Sequence, residues 1–314
     1  MDLDANEFTE IEYAIELTGN ANQDSYCLRT SDGGIALDSY PRVPEGRVLQ
    51  IPQLGDWTLA GNYNGTSTIT LTEGTTTAVV ATGTVTDLNG ADDIIGATST
   101  LYRSGLASTT ACAADENNCY RLGNESCDLD CAGNSCDITC TADVQFFADP
   151  TDIGPFAAEH WLSYVIVEDR SGEVATATSL ATELDTTFGI RLTRDDINFG
   201  TLTLGTTTGS VSSSTLRNTG NASVDVDLAG SDLVGGASTI PVGNIRYATS
   251  TFTSASCAIC NFLSSTTNQF EIDLPKPTPS STPITDDIFW GITIPSNTGG
   301  VTHQGQNTFF AVSD

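Results

Sequence analysis

The chain has 314 residues, and its 40 acidic side chains outnumber its 11 Lys and Arg so strongly that the formal net charge is −29. Nucleic acids and anionic membrane surfaces are bound through basic patches, so this balance argues against both as partners. Repulsion among so many carboxylates is relieved by salt or by divalent cations, which makes calcium the first ligand to consider. No apolar run reaches the roughly 18 residues of a membrane span, and no signal peptide is predicted.

Composition divides the chain into three predicted regions. Residues 1–50 hold about three strand signals, too few for an independent sandwich, so we predict the end of a preceding module or an arm that pairs with another subunit. A Pro-bearing stretch at 40–52 separates this segment from a disulfide-rich immunoglobulin-like β-sandwich over residues 51–187. A second immunoglobulin-like β-sandwich is predicted over residues 188–314.

Strand signals predominate, and nothing longer than a turn looks helical. Apolar and polar residues alternate at 68–72 and 224–228, which is typical of half-buried antiparallel strands. Residues 161–167 are apolar on both faces and apolar side chains alternate over 288–294, so each segment is predicted to be central in one core. The Pro-rich stretch 274–279 is predicted to be an exposed loop or edge crossing, because Pro donates no ladder hydrogen bond. The predicted fold class is all-β, with tandem immunoglobulin-like sandwiches.

Nine cysteines, six of them within residues 112–140, indicate disulfides and hence a secreted or cell-surface protein. Facing residues of an antiparallel hairpin have residue numbers with a constant sum. Cys127 with Cys140 gives the same sum as Cys131 with Cys136. Both pairs therefore fit one hairpin that turns at residues 132–135.

The other cysteines allow more than one interpretation. Cys112 with Cys119 and Cys257 with Cys260 are predicted short-loop disulfides, although the second pair has the Cys-x-x-Cys spacing of redox motifs. A four-thiolate zinc site is the alternative for the cluster, but the usual pair of Cys-x-x-Cys knuckles is missing from it. Cys27 is left as a buried thiol or as half of an intermolecular link.

Several segments carry a resemblance to a known group of proteins. They are residues 12–17, 25–29, 37–40, 83–90, 101–105 and 146–152, and in the second module residues 199–202, 218–221 and 290–295. In them the chain resembles secreted, immunoglobulin-like multi-module surface proteins of ultra-small (candidate-phyla) bacteria and, more loosely, surface-layer modules. The resemblance implies an envelope or extracellular location, and it implies no catalytic residue.

Two acidic loops are candidate calcium sites. On residues 87–93 the side-chain oxygens of Asp87, Asn89, Asp92 and Asp93 can converge around a Gly turn on a hard cation, although the EF-hand pattern is not met. Asp149 and Asp152 form a second candidate, for which solvated turn carboxylates are the alternative interpretation.

Three Asn residues fit the acceptor pattern for N-glycosylation. Asn64, Asn124 and Asn221 all lie in predicted turns. In a chain so rich in Asn, Thr and Ser, chance matches are the stronger explanation.

Catalytic residues are scarce. The two histidines, His160 and His303, are far apart in sequence, and no nucleophile elbow, phosphate-binding loop or His-rich metal motif is present. His160 is predicted to be a strand-end residue. A hydrolase that uses a carboxylate pair stays as an alternative, but in so acidic a chain any chosen pair is close to chance. We predict that the chain is not an enzyme.

The leading functional hypothesis is a structural subunit of the cell envelope, such as a surface layer, sheath or filament, that self-associates into an oligomer or polymer through sandwich edges. The alternative is an adhesin or carbohydrate-binding module that recognises a glycan or host-cell surface. Exposed aromatic rings, with Tyr63, Tyr102 and Trp57 as candidates, would supply its stacking platform.

Overall fold

A computed structural model describes residues 52–60, 68–106, 112–254, 257–279 and 282–314. The predictions for residues 1–50, and those for Cys27, Tyr63 and Asn64, lie outside this part of the chain. In the described residues the regular structure is β-strand, with four three-residue 3-10 turns at Ala91–Asp93, Asn124–Ser126, Gly154–Phe156 and Val242–Asn244. The all-β fold class is confirmed. None of the helical turns found here is long and apolar enough to cross a membrane.

The strands up to residue 184 form two main sheets. They are β1 (Gln53–Leu54), β2 (Thr58–Ala60), β3 (Thr68–Ile69), β4 (Thr77–Thr86), β5 (Ile94–Arg103), β6 (Cys119–Leu122), β7 (Cys127–Ala132), β8 (Ser135–Val144), β9 (Trp161–Asp169), β10 (Val174–Thr178) and β11 (Glu183–Leu184). One sheet has the order β1-β4-β8-β7 with β2 also paired to β4, and the other has the order β10-β9-β5-β6. The two short strands β11 and β3 pair in parallel.

The core of this first sandwich lies between the two sheets. Alternate residues of β8, such as Ile138 and Cys140, pack in one cluster with Val165 and Val167 of β9, because successive side chains of a strand point to opposite faces. β9 pairs with β10 on one side and with β5 on the other. The prediction that residues 161–167 are a central strand is therefore confirmed.

The strands from residue 190 onward pair among themselves. They are β12 (Ile190–Arg194), β13 (Ser212–Asn218), β14 (Val224–Gly230), β15 (Leu233–Gly235), β16 (Ser238–Ile240), β17 (Ile245–Ala248), β18 (Asn261–Phe262), β19 (Asn268–Leu274), β20 (Thr285–Ile292) and β21 (Asn307–Ser313). A five-stranded sheet has the order β12-β13-β20-β17-β18, a three-stranded sheet has the order β19-β14-β21, and β15 and β16 form a hairpin.

Trp290 lies at the centre of the second core. Its ring is completely buried, contacts Tyr247 and Phe309 at centroid distances of 5.6 and 6.2 Å, and its indole N–H donates to Ser214 Oγ at 2.9 Å. A buried indole needs such an acceptor. Because β20 lies between β13 and β17, the prediction of a central strand here is also confirmed. The immunoglobulin-like topology and the domain boundary at residues 187/188 stay predictions.

The four disulfides join the pairs that the sequence predicts. Cys127 faces Cys140 and Cys131 faces Cys136 across the β7–β8 hairpin, each with a Cα–Cα distance of 4.0 Å. The two-residue turn between the strands contains Gly133 at φ 62°, a left-handed conformation that favours glycine. Cys112–Cys119 and Cys257–Cys260 close short loops. The zinc interpretation is wrong for these cysteines, because all of them are in disulfides.

The Pro-rich stretch after β19 lies outside the strands and is exposed at Pro275, Thr278 and Pro279, as predicted for a loop, but its middle packs against the first sandwich. Pro277 is buried and Lys276 is half-buried, and the Lys276 ammonium reaches the first sandwich, where it lies 2.6 Å from Asp149 Oδ1. The sequence correctly excluded these prolines from a central strand, but it gave no sign that the segment packs against the other sandwich.

We expect the Cys127–Cys140 disulfide to stabilise the fold more than the Cys257–Cys260 disulfide does. Replacing Cys127 and Cys140 by Ala releases a loop with a separation of 13 residues, worth about 3 kcal/mol, whereas Cys257 and Cys260 are 3 apart, worth about 2 kcal/mol. Urea unfolding of both double variants checks the order. An equal or larger loss of unfolding free energy for the Cys257/Cys260 variant would contradict it.

Candidate functional site

Three buried aspartates meet at one end of the first sandwich, and we call them the carboxylate triad: Asp87, Asp93 and Asp169. Asp87 follows β4, Asp93 ends the 3-10 turn that leads into β5, and Asp169 is the last residue of β9. One carboxylate oxygen from each lies within 4.8 Å of the others. The triad therefore brings together residues from both sheets of the sandwich.

Backbone hydrogen bonds hold the triad in two tight turns. The Asp87 Oδ1 accepts the N–H of Asn89 at 2.7 Å, and the Asp169 Oδ1 accepts the N–H groups of Ser171 and Glu173, both at 2.8 Å. Aspartate forms such turns because its short side chain reaches the backbone two residues ahead. The N–H of Arg170 donates to Asp93 O at 2.7 Å and so joins the two turns.

The Oδ2 oxygens show how little of the negative charge of the triad is compensated by protein groups. The Oδ2 atoms of Asp87 and Asp169 are buried and accept no hydrogen bond, and neither residue forms an ion pair with a described Lys, Arg or His. Two unit charges 4.8 Å apart repel by on the order of 3 kcal/mol at an effective dielectric constant of about 20. A bound cation would remove that repulsion, and oxygen ligands alone favour a hard cation.

The structure selects among the residues that the sequence proposed for calcium. Asp87 and Asp93 belong to the triad, but Asp92 is exposed on the same 3-10 turn and lies outside it. Asn89 contributes its backbone N–H to Asp87 at 2.7 Å. Of the four predicted residues, the structure therefore brings Asp87 and Asp93 together, and it adds Asp169 from the end of β9.

Asp149 and Asp152, the second predicted calcium pair, are each bound by other protein groups. Asp149 is paired with two cations, Arg103 at 3.2 Å and Lys276 at 2.6 Å, so its charge is already balanced. Asp152 Oδ1 accepts hydrogen bonds from the N–H and the hydroxyl of Thr186 at 3.0 and 2.6 Å. Neighbouring protein groups therefore bind both carboxylates, and calcium on this loop stays a prediction.

Sequence reasoning missed Asp169 as a ligand candidate, although a signal was present. The residue stands between a predicted central strand and the predicted turn at Ser171 and Gly172. An Asp in that position lies at the end of a strand, where the chain leaves the sheet, as Asp87 does after β4. The pairing of β5 with β9 places Asp169 opposite Ile94, the residue that follows Asp93.

A second acidic group, the Asp225 cluster, consists of Asp225, Glu271, Asp273 and Asp314. Asp225 is completely buried, whereas the other three carboxylates are exposed. Burial acts to raise the pKa of Asp225, but hydrogen bonds from the backbone of Asp273 and Ile272 outweigh it and lower that pKa below its usual value of 3.8. The hydrogen bond with Asp225, and then its negative charge, raise the pKa of Glu271 above its usual 4.5.

The Asp225 cluster predicts a loss of stability as the pH rises above about 4.5. Glu271 has a raised pKa in the folded state, so its contribution is present below 4.5 and is lost as the pH passes the raised value. The lowered pKa of Asp225 has the opposite effect, which is lost only in stronger acid. Glu271→Gln keeps a donor for Asp225 at every pH.

We therefore expect Glu271→Gln to raise the melting temperature relative to wild type at pH 7 but not at pH 4. Thermal unfolding at the two pH values measures the difference. Glu168→Gln is the matched control, because it removes an exposed carboxylate from the other sandwich. If wild type and Glu271→Gln differ in melting temperature by the same amount at both pH values, the hydrogen bond between Glu271 and Asp225 does not depend on protonation of Glu271, and the prediction is wrong.

The two histidines form separate polar pairs. His160 immediately precedes β9, as predicted for a strand-end residue, and its Nδ1 lies 2.7 Å from Glu183 Oε1. His303 Nδ1 donates to Val301 O at 2.9 Å, and its Nε2 lies 2.6 Å from Ser238 Oγ, whose hydroxyl donates to Gly235 O at 3.1 Å. A Ser–His pair can supply a nucleophile and its base.

Catalysis by Ser238 and His303 would also need a substrate cavity with oxyanion donors. One open cavity, of about 240 Å³, is lined by Glu73, Gly74, Ile190, Arg191, Arg217 and Thr219. Another, of about 390 Å³, is lined by Arg194, Ser210, Val211, Ser212, Ser213, Thr251 and Phe289. Neither is lined by a histidine, so the pair and the cavities do not combine into a catalytic site.

Two predicted surface sites are corrected by burial. Trp57 and Tyr102 are each only 4% exposed, and the Trp57 indole donates to Ser163 Oγ at 3.1 Å, so neither ring can form a stacking platform. Asn221 is completely buried and its side chain binds Thr187 N and Asp185 O, which excludes it as a glycan acceptor in the folded chain. Asn124 is exposed.

No protein-family model and no curated protein matches the chain. Among solved structures, the crystal structure of dimeric latent PorU from Porphyromonas gingivalis is similar at 14% sequence identity and a TM-score of 0.26. The match covers 88% of this chain and 22% of PorU, so the chain spans about a fifth of that protein's length. At this TM-score the similarity carries no argument about function.

Proposed function

We propose that the chain is a non-enzymatic structural module of the cell surface, which works outside the cell as a stiff unit of a larger assembly. The observation that carries the proposal is the ionic contact between the two sandwiches, the Lys276 joint, formed by Arg103, Asn117, Asp149 and Lys276. The four disulfides support an oxidising, extracellular location.

The Lys276 joint uses the single lysine of the chain. Its ammonium donates to Asp149 Oδ1 at 2.6 Å and to Asn117 Oδ1 at 3.1 Å, and the Asn117 side-chain amide donates back to Thr278 O at 2.9 Å. Arg103 approaches the other oxygen of Asp149. Because each group has more than one partner, sliding of one sandwich over the other breaks several bonds at once.

Arg103 is itself held in place on the first sandwich. Its guanidinium pairs with Glu159 and lies 3.7 Å from the centroid of the Phe156 ring, a cation–π geometry. A backbone hydrogen bond also joins the two sandwiches, because Gly74 N donates to Thr219 O at 2.9 Å. A connection of this kind favours a fixed orientation, which suits a load-transmitting module better than a hinged enzyme.

Unpaired strand edges provide surfaces for assembly. Among the described strands, β21 pairs only with β14, and Phe310 on β21 is 54% exposed. An open edge offers N–H and C=O groups to a strand of another subunit. Residues 1–50 are the proposed source of that strand.

Weakening the joint should loosen the module. Lys276→Met leaves Asp149 with Arg103 alone, and we expect a loss of about 1.5–3 kcal/mol of unfolding free energy together with faster hydrogen exchange at residues 115–119 and 275–279. Arg121→Met, which removes one positive charge from an exposed position, is the matched control. Unchanged exchange in Lys276→Met would contradict a rigid joint.

Assembly is tested directly by negative-stain electron microscopy of the purified chain at low and moderate salt. We expect filaments or sheets from the full chain and dispersed particles after deletion of residues 1–50. Polymers that persist after the deletion would contradict strand addition by this segment. Dispersed full-length chains under every condition would contradict the structural role itself.

A further inference from the structure

We propose that the carboxylate triad of Asp87, Asp93 and Asp169 is a calcium site. This inference is independent of whether the chain assembles. It goes beyond an acidic surface loop, because the three aspartates are 1%, 2% and 0% exposed. A charged carboxylate is buried at this depth only when a partner compensates the charge, and for two of the three no such protein partner is present in the described residues.

The triad has the geometry of oxygens around one ion. Calcium lies about 2.3–2.6 Å from each oxygen ligand, so two ligands of one ion are at most about 5 Å apart. The three carboxylates each offer an oxygen within 4.8 Å of the others. For Asp87 and Asp169, Oδ1 is used by backbone N–H groups, and the buried Oδ2 has no hydrogen bond. These are the oxygens left to bind a cation.

The ligand set favours calcium over other metals. It contains neither His nor Cys, which zinc and copper prefer, and all the nearby cysteines are in disulfides. Magnesium needs ligands at about 2.0–2.1 Å in octahedral geometry, whereas calcium accepts irregular sets of carboxylates, carbonyls and water. Two tight turns that converge on one point form such an irregular set.

The site has a structural consequence, because its ligands come from separate elements. Asp87 follows β4 of one sheet, whereas Asp93 and Asp169 flank β5 and β9 of the other. The tip of the disulfide hairpin contacts the same loop, since Gly133 O accepts Ala91 N at 3.0 Å and Asn134 O accepts Asp87 N at 2.8 Å. Calcium bound here would connect both sheets and support the hairpin.

Calcium titration of the full chain tests the proposal. After dialysis against EDTA, wild type should bind one Ca²⁺ at the triad, with a Kd on the order of 10⁻⁴–10⁻³ M, as in extracellular modules. CaCl2 at about 100 times the Kd should raise the melting temperature by roughly 5–10 °C. NaCl at matched ionic strength and MgCl2 at matched concentration should produce less than half of this shift.

Asp169→Asn should weaken calcium binding at least tenfold and abolish the calcium-dependent shift, because asparagine keeps the turn acceptor but loses the charge. In EDTA the same variant should be at least as stable as wild type, since one like-charge repulsion is removed. Asp92→Asn is the control: it removes the same charge from the same loop at an exposed position, and it should bind calcium like wild type.

Three results would overturn the proposal. They are wild-type calcium affinity in Asp169→Asn, an equal loss in Asp92→Asn, and a wild-type melting temperature that responds to CaCl2 no more than to NaCl or MgCl2. If Asp169→Asn does not fold, Asp93→Asn replaces it. The wild-type comparison of the three salts needs no variant, and the lack of a calcium-specific shift there would overturn the proposal by itself.

Discussion

The structure of the described chain depends on how a small number of cations is distributed over an excess of carboxylates. With 40 acidic residues and 11 Lys and Arg, most carboxylates must stay in water, where their repulsion is screened. Asp149 is the exception that receives two cations, Arg103 and Lys276. Because those cations come from different sandwiches, this buried carboxylate forms part of the contact that joins them. Removing either cation would leave the carboxylate with half of its compensation, which is costly in a buried position.

The other buried carboxylates show two further ways to compensate a charge. Asp225 accepts the N–H groups of Ile272 and Asp273 on Oδ1, and the Gln269 amide lies 3.4 Å from Oδ2, so hydrogen-bond donors take the place of a cation. In the carboxylate triad, hydrogen-bond donors compensate only part of the charge. Donors occupy Oδ1 of Asp87 and Asp169, while Oδ2 of each is buried without one. Compared with Asp149 and Asp225, the triad is the buried carboxylate group in which the described protein groups leave the most charge uncompensated.

The sequence could predict those features that depend on residues close together in the chain, namely central strands and hairpin disulfides. A segment apolar on both faces identified β9 as a central strand, and alternating apolar residues identified β20. Equal residue sums identified the pairs Cys127–Cys140 and Cys131–Cys136. Each of these signals lies within one strand or one hairpin. The errors arose where distant segments meet. Lys276 and Asp149 are 127 residues apart, and nothing near either residue indicates the other. Trp57 looked exposed for the same reason: its acceptor, Ser163, lies 106 residues away on the opposite sheet.

The joint and the triad lie at opposite ends of the same two strands. β5 begins directly after Asp93 and ends at Arg103, and its neighbour β9 ends at Asp169 and begins at Trp161, whose indole donates to Asp149 O at 3.0 Å. At about 3.3 Å per residue the two charged centres are separated by roughly 25–30 Å of paired strand. The β5–β9 strand pair is buried along one face, where Ala97, Leu101, Val165 and Val167 are at most 2% exposed. The two charged centres of the first sandwich are therefore linked by one pair of strands, β5 and β9, whose inner face is packed in the core.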